Sequence, residues 1–185
     1  MPKTSDKREK LVDSAGKLFH QVGFNQTSLA DIAEDSGVPL GNVHYYFKTK
    51  AELILEVLNH RSESLKSWYE KLNELPNPKD RLIAMIDDTL SLRHKLAKYG
   101  CPVGSLCQEL DKEREPISKQ ADGLIKMQLK WISKQFIELK KKNAEELSLQ
   151  LIASLHGAAV VGNALKSPTA IESELRRLRD WILAM

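Results

Sequence analysis

Between Leu40 and Lys50 the sequence LGNVHYYFKTK gathers an amide, an imidazole, two phenols and two ammonium groups within about three helical turns. These groups bind rather than catalyse. The Asn42 amide both donates and accepts, as contact with a base edge requires. Tyr45 and Tyr46 carry hydroxyls suited to phosphate oxygens, and Gly41 lets backbone approach a phosphate with no side chain between. Lys50 opens the next helix, where its charge adds to the partial positive charge of the helix N-terminus. Upstream, Thr27 and Ser28 present hydroxyls and a second helix start. Leu40 and His44 share the outward faces with Asn42 and Tyr46, and His44 has no metal partner at ligand spacing. The chemistry implied is hydrogen bonding to double-stranded DNA. Tyr45 stands open between a contact role and a place in the core.

Such groups read DNA only if a helix carries them into a groove. Ala33 is small where two helices must cross, and Gly37, four residues on, takes the positive φ of a sharp turn. Val43 then locks the following helix, over 40–47, against its predecessor, with Phe47 inward as well. Ser28 with Asp31 forms a capping-box-like start for the middle helix, and Pro39 suits the start of the third. A first helix, from about residue 5 to before Gly23, buries Leu11, Val12, Ala15, Leu18, Phe19 and Val22. The pattern is a three-helix unit containing a helix-turn-helix. Lys3, Lys7, Arg8 and Lys10 fit either a basic arm reaching the minor groove or a solvated helix start.

Phe24, Thr27-Ser28, Asp31-Ile32-Ala33, Gly37-Val38, Gly41-Asn42-Val43, Tyr45-Tyr46-Phe47, Lys50 and Leu53 together resemble the DNA-binding signature of TetR-family transcriptional regulators. The likeness runs from Arg8 to about Leu58. Pro39, Leu40 and His44 depart from it, where the family commonly has serine, a polar or basic residue, and tyrosine. The resemblance implies an all-α fold: a DNA-binding domain at residues 1–49, then a helical effector-binding and dimerisation domain at 50–185. It implies a homodimer on an inverted-repeat operator, a shared four-helix bundle, and a small-molecule pocket in the helical half. Repression relieved by the effector is likewise what the family pattern implies.

Bulk properties bound these expectations. The chain has 185 residues, 29% charged and 6% aromatic, with a net charge of +3 that by itself argues nothing about nucleic acid. Within residues 1–50 basic residues exceed acidic ones by a single charge, so the DNA reading rests on where the cations sit. The polar start MPKTSDKREK has no apolar signal core, and no apolar run reaches the ~18 residues of a membrane span. Two cysteines, Cys101 and Cys107, fit a reducing compartment. A cytoplasmic protein without membrane contact is expected, with no metal and no cofactor. The five histidines form no ligand motif and no nucleophile–base signature appears, so an enzyme is not expected.

Helical periodicity continues to the C-terminus. Helices are expected at 50–72, from Asn77-Pro78 onward, at 103–111, at 117–142, at 143–166 and in a last segment capped by Thr169 with Glu172. The 50–72 helix is long enough to act as a lever between the halves. The 143–166 segment is apolar on almost every face, and a helix apolar all round is buried all round. We place the dimer contact on it and its successor, through Leu151, Leu155, Ala158, Ala159, Gly162, Leu175, Leu178 and Ile182. Candidate pocket residues are Trp68, Met85, His94, Tyr99, Cys101, Met127, Trp131, Phe136 and His156. Ordinary core packing would account for each of these equally well. Cys101, at a Gly-Cys-Pro turn before a helix, also suits a thiol that senses an oxidant or electrophile. A helical interaction module that never touches DNA is the remaining alternative.

Overall fold

The computed structural model describes residues 4–112 and 116–185, so Lys3 of the basic segment lies outside the described residues. Among them are ten α-helices and no strand: α1 (Thr4–Gln21), α2 (Leu29–Ser36), α3 (Leu40–Tyr46), α4 (Lys50–Asn73), α5 (Pro78–Ser91), α6 (Arg93–Tyr99), α7 (Gly104–Leu110), α8 (Ile117–Glu138), α9 (Ala144–Ala164) and α10 (Pro168–Leu183). They form two compact units. The first comprises Met1–Ser64 with Ser105–Gly123, and the second Leu65–Gly104 with Leu124–Met185. The sequence division at residue 50 coincides with the first residue of α4, whereas the compact units divide that helix near its middle.

In the first unit α2 packs on α1 and on α3. Leu11, Ala15, Ile32, Val43, Leu53, Ile54 and Leu58 are fully buried, so the inward stripes of α1 to α4 close one small core. Val22, expected in that stripe, is 49% exposed because α1 ends one residue before it. Ser28 caps α2 through a complete capping box with Asp31. Gly37 ends α2 at φ +66, a left-handed geometry in which a side chain is strained. Gly23, at φ +105, has a second constraint: a Cβ there would lie 2.9 Å from Glu109 Oε1. That carboxylate accepts the N–H of Phe24 at 2.6 Å, tying α7 to the turn before α2.

In the second unit α10 lies against α5, α6 and α9, and α6 also packs on α9. Leu82, Ile86, Ile132, Phe136, Leu151, Ile171, Leu178 and Ile182 make its fully buried centre. Tyr69 is sandwiched between Trp68 and Trp131, with ring centroids at 5.2 and 4.5 Å. Two boundaries differ from expectation. Helix α8 stops at Glu138, and Lys140 takes φ +59, so the Lys140–Lys142 run follows the helix rather than ending it. Ser167, not Thr169, caps α10: its hydroxyl accepts the Ala170 N–H, and Pro168 occupies the first helical position, where no N–H is needed.

Helix α9 is long and apolar enough to cross a membrane by length and composition alone, yet seven of its residues are buried inside the protein. The dimer residues expected from sequence need correction on the same ground. Leu151, Ala159, Leu175, Leu178 and Ile182 are buried within the protomer and serve its own core, and Ala158 is nearly so at the floor of a shallow depression beside Gly157 and Val161. Gly162 serves α10 instead: a Cβ on it would fall 2.2 Å from Ile171 Cγ1, so its hydrogen permits that crossing. Leu155 is half-buried and faces a cavity. What α9 leaves uncovered is a different stripe, with Ala153, Val160, Val161, Ala164 and Leu165 exposed and Gly157 half-exposed among them.

Candidate nucleic-acid interface and an apolar cavity

Helix α3 is anchored by two residues and largely exposed on the rest of its surface. Val43 is fully buried, and Phe47, its C-cap, is nearly so. Leu40, Gly41, His44 and Tyr45 are exposed, while Asn42 and Tyr46 are half-buried. Tyr45 is 76% exposed, which removes it from the core, and its ring meets Tyr46 edge-on at 5.1 Å. Asn42, His44, Tyr45 and Tyr46 thus share one short helix with no core duty beyond the partial burial of Asn42 and Tyr46. Lys48 is exposed between α3 and α4 and was not singled out from sequence. Its signal was its position: a cation one residue before Thr49, whose hydroxyl accepts the Glu52 N–H at the start of α4.

Three expected contact residues have other work. Thr27 is 2% exposed, and its hydroxyl donates to Gly23 O at 2.7 Å, so that hydroxyl faces the turn and not solvent. The Ser28 hydroxyl is engaged with Asp31, although Ser28 itself remains on the surface. Lys50 reaches back over its own domain: Nζ donates to Phe24 O at 2.8 Å, Thr27 O at 3.1 Å and Asn25 O at 3.4 Å, and stands 4.3 Å from the Phe24 ring centroid. An ammonium group has three donors. All three are used, so Lys50 is a brace for the turn that carries α2, and a direct phosphate bond would have to displace a carbonyl. The basic segment at the N-terminus is likewise engaged in part. Arg8 pairs with Glu56 at 2.8 Å and lies over Phe47, and Lys10 pairs with Asp6 at 3.2 Å.

Two carboxylates hold α2 in place. Hydrogen bonds from the Ser28 N–H and hydroxyl lower the Asp31 pKa. Lys17 and the Ser14 hydroxyl do the same for Asp35, joining α1 to α2.

The second unit encloses a cavity of about 450 Å³, a size typical of small-molecule sites. Its walls are mainly apolar, with Leu65, Trp68, Tyr69, Met85, Leu96, Val103, Ile152 and Leu155 among them. Asp88, Thr89, Ser91, Cys101, Gln128 and His156 supply the polar groups. Trp68 Nε1 donates to Asp88 Oδ2 at 2.7 Å, and burial pushes the Tyr69 hydroxyl pKa up, so that phenol stays neutral. Cys101 Sγ lies 3.5 Å from His156 Nδ1 and 3.3 Å from the Gly104 N, which donates to it; His156 Nε2 is 3.1 Å from Gln128 Oε1. Burial opposes a charge on Cys101, but His156 and the N–H groups of Gly104 and Val103 outweigh it, and the thiol pKa is lowered. Cys107 lies on α7 and bonds to Ala121 O.

Of the nine candidate pocket residues, Trp68, Met85, Cys101 and His156 meet in this cavity. Met127 and Trp131 line a broader groove of about 820 Å³ beside Ile137 and Leu149, rimmed by Lys66, Lys130 and Lys134. His94 is exposed on α6, and Phe136 is fully buried against Trp181. Tyr99, half-buried beneath Lys98, lines neither space. The smaller cavity is the more enclosed of the two, and Cys101, His156 and Gln128 form a connected polar array on its wall. Gln128 was missed from sequence, though its position on the inward stripe of α8, seven residues after Ala121, was a legible signal. No cluster of three or more metal-ligating side chains occurs among the described residues.

Residues 11–57 match the bacterial regulatory proteins of the tetR family. An uncharacterised HTH-type transcriptional regulator in the lacX 3′ region of Lactococcus lactis subsp. lactis is 30% identical over 150 residues, covering 76% of this chain and 68% of the relative. The HTH-type transcriptional regulator LmrA of Bacillus subtilis is 27% identical, over 91% of this chain and 89% of that protein. Among solved structures, a TetR transcriptional regulator from Chloroflexus aurantiacus superposes with a TM-score of 0.86 at 23% identity, covering 99% and 97% of the two chains. One from Legionella pneumophila gives the same TM-score at 19% identity, covering 98% and 97%.

Proposed function

The chain belongs to the TetR family of bacterial regulatory proteins and is a DNA-binding transcriptional regulator, and from that premise we propose that it is a homodimeric repressor released from an inverted-repeat operator by a small molecule. The observation that carries this reading is α3: Val43 and Phe47 anchor it, and Asn42, His44, Tyr45 and Tyr46 are left for DNA. Asn42 reads a base edge, Tyr45 and Tyr46 bond to phosphates, Leu40 and Gly41 allow close approach, and Lys48 supplies an exposed charge. Lys50 and Thr27 act indirectly by holding the turn before α2, while Ser28 offers its helix start to a phosphate.

One such unit makes few contacts. Two reading helices ~34–36 Å apart would meet successive major grooves on one face of the duplex. The stripe Ala153, Gly157, Val160, Val161, Ala164 and Leu165 supports a dimer, since these apolar residues recur at three- and four-residue steps on the outer face of α9. The effector occupies the 450 Å³ cavity and favours a conformation with the wrong half-site spacing. It weakens DNA binding only by its differential affinity for that state. Helix α4, which contributes residues to both units, is the lever. The relatives are named as regulators, and the reading requires no catalysis and no membrane; the protein would act in the cytoplasm.

Selection from a random duplex pool at fixed salt tests the proposal. Wild type should enrich an inverted repeat, and Asn42→Ala should relax preference at one position of each half-site. A folded dimer that enriches nothing would refute it.

A further inference from the structure

Most of the cavity wall is what any apolar ligand would need, but the Cys101–His156–Gln128 array is more specific. A carbonyl oxygen can only accept, so with Gln128 Oε1 at 3.1 Å the contact favours a neutral His156 that carries its proton on Nε2. Nδ1 is then the bare nitrogen, and it faces Cys101 Sγ at 3.5 Å. The thiol proton has an acceptor, and the sulfur has the Gly104 N–H at 3.3 Å to steady a negative charge. Nucleophile, base and orienting group therefore stand in series on the wall of an apolar cavity. A cysteine serving only as a small buried hydrophobe needs neither a base with a fixed tautomer nor an opening onto a cavity.

We propose that the cavity captures soft carbon electrophiles with an apolar body, α,β-unsaturated aldehydes and ketones, by conjugate addition of Cys101. This names the class of effector and rests on the reading of the cavity as the effector site. In the step His156 Nδ1 takes the thiol proton, and sulfur forms a bond to the β-carbon as the C=C π bond breaks. The electron pair passes into the conjugated carbonyl, and the enolate collects the proton from His156 at its α-carbon. The product is a thioether and a saturated carbonyl, with no oxidant or reductant consumed. The lowered thiol pKa agrees with this arrangement. Each tenfold gain in thiolate is worth only about threefold in rate, because nucleophilicity falls with basicity along a Brønsted slope near 0.5. Proton delivery by His156 supplies the rest.

The test is adduct formation with trans-2-octenal, followed by intact mass and peptide mapping on the full chain without DNA. The expected result is one adduct, at Cys101, formed at least about tenfold faster than any at Cys107. Octan-1-ol, with the same chain and no acceptor, should slow it by occupying the cavity. His156→Gln and Gln128→Leu, each checked for an unchanged helical melt, should slow addition and move the midpoint of its pH–rate profile upward. Cys101→Ser should leave no adduct of comparable rate. A Cys101 unmodified in folded protein, or no faster than Cys107, overturns the proposal, as does a His156→Gln pH profile identical to wild type. Should the adduct fail while a saturated ligand still releases DNA, only the covalent chemistry is lost; should the adduct form without affecting DNA, the effector reading fails instead.

Discussion

Replacing Lys50 with methionine separates two roles that a lysine at this position can play. Methionine keeps an unbranched apolar stem and removes the ammonium group. The variant loses the bonds to Phe24 O at 2.8 Å and Thr27 O at 3.1 Å, both partly buried. The third, to Asn25 O at 3.4 Å, is exposed and contributes little. After exchange with water each of the two good bonds is worth about 1 kcal/mol, and the charge over the Phe24 ring adds about 0.5–1 kcal/mol. A loss of about 2.5–3 kcal/mol follows, which for a chain of this size lowers Tm by roughly 5–12 °C. Thermal unfolding by circular dichroism reads that loss, and hydrogen exchange in α2 locates it. The companion measurement is operator affinity against salt. A phosphate contact contributes about 0.9 to the slope of log K on log salt, so a brace leaves the slope unchanged and a contact makes it shallower by that amount per protomer. Lys48→Met is the comparator, expected to melt like wild type and to flatten the slope. If Lys50→Met melts like wild type and flattens the slope, the brace assignment is wrong.

Two further predictions concern the dimer and acid. Val161 and Leu165 are 54% and 65% exposed in the protomer, so Val161→Glu with Leu165→Glu should leave folding intact while placing unpaired charge in the proposed interface. Light scattering should then report a single 20.9 kDa chain where wild type gives two; a persistent dimer would move the interface off this face. The second concerns Asp31 and Asp35, whose folded pKa values lie below the ordinary 3.8. Their contribution is complete above that value and is lost as pH falls through the lower folded values. Urea midpoints between pH 5 and 2 should therefore drop for wild type and drop less for Asp31→Asn with Asp35→Asn. Parallel curves would show that these carboxylates do not stabilise α2.

What could be read from sequence divides by the range of the interaction. Ser28, Asp31, Gly37 and Val43 lie within sixteen residues of one another, and their roles follow from local geometry: a hydroxyl facing an N–H three residues on, a backbone needing φ +66, a side chain on the inner face. The engagement of Lys50 was illegible because its partners are carbonyls at residues 24–27, and a cation at a helix start looks the same in sequence whether it turns outward or back. The burial of most of the expected dimer residues was illegible for a related reason. Apolarity on every face of α9 was visible, but only the position of α10 decides which face is internal, and Gly162 against Ile171 fixes that position. Cys101 and His156 are 55 residues apart, and Glu109 and Phe24 are 85 apart, so neither pairing has a sequence signature. Both tether the segment from Cys101 through α7, at one end to the cavity wall and at the other to the turn before α2.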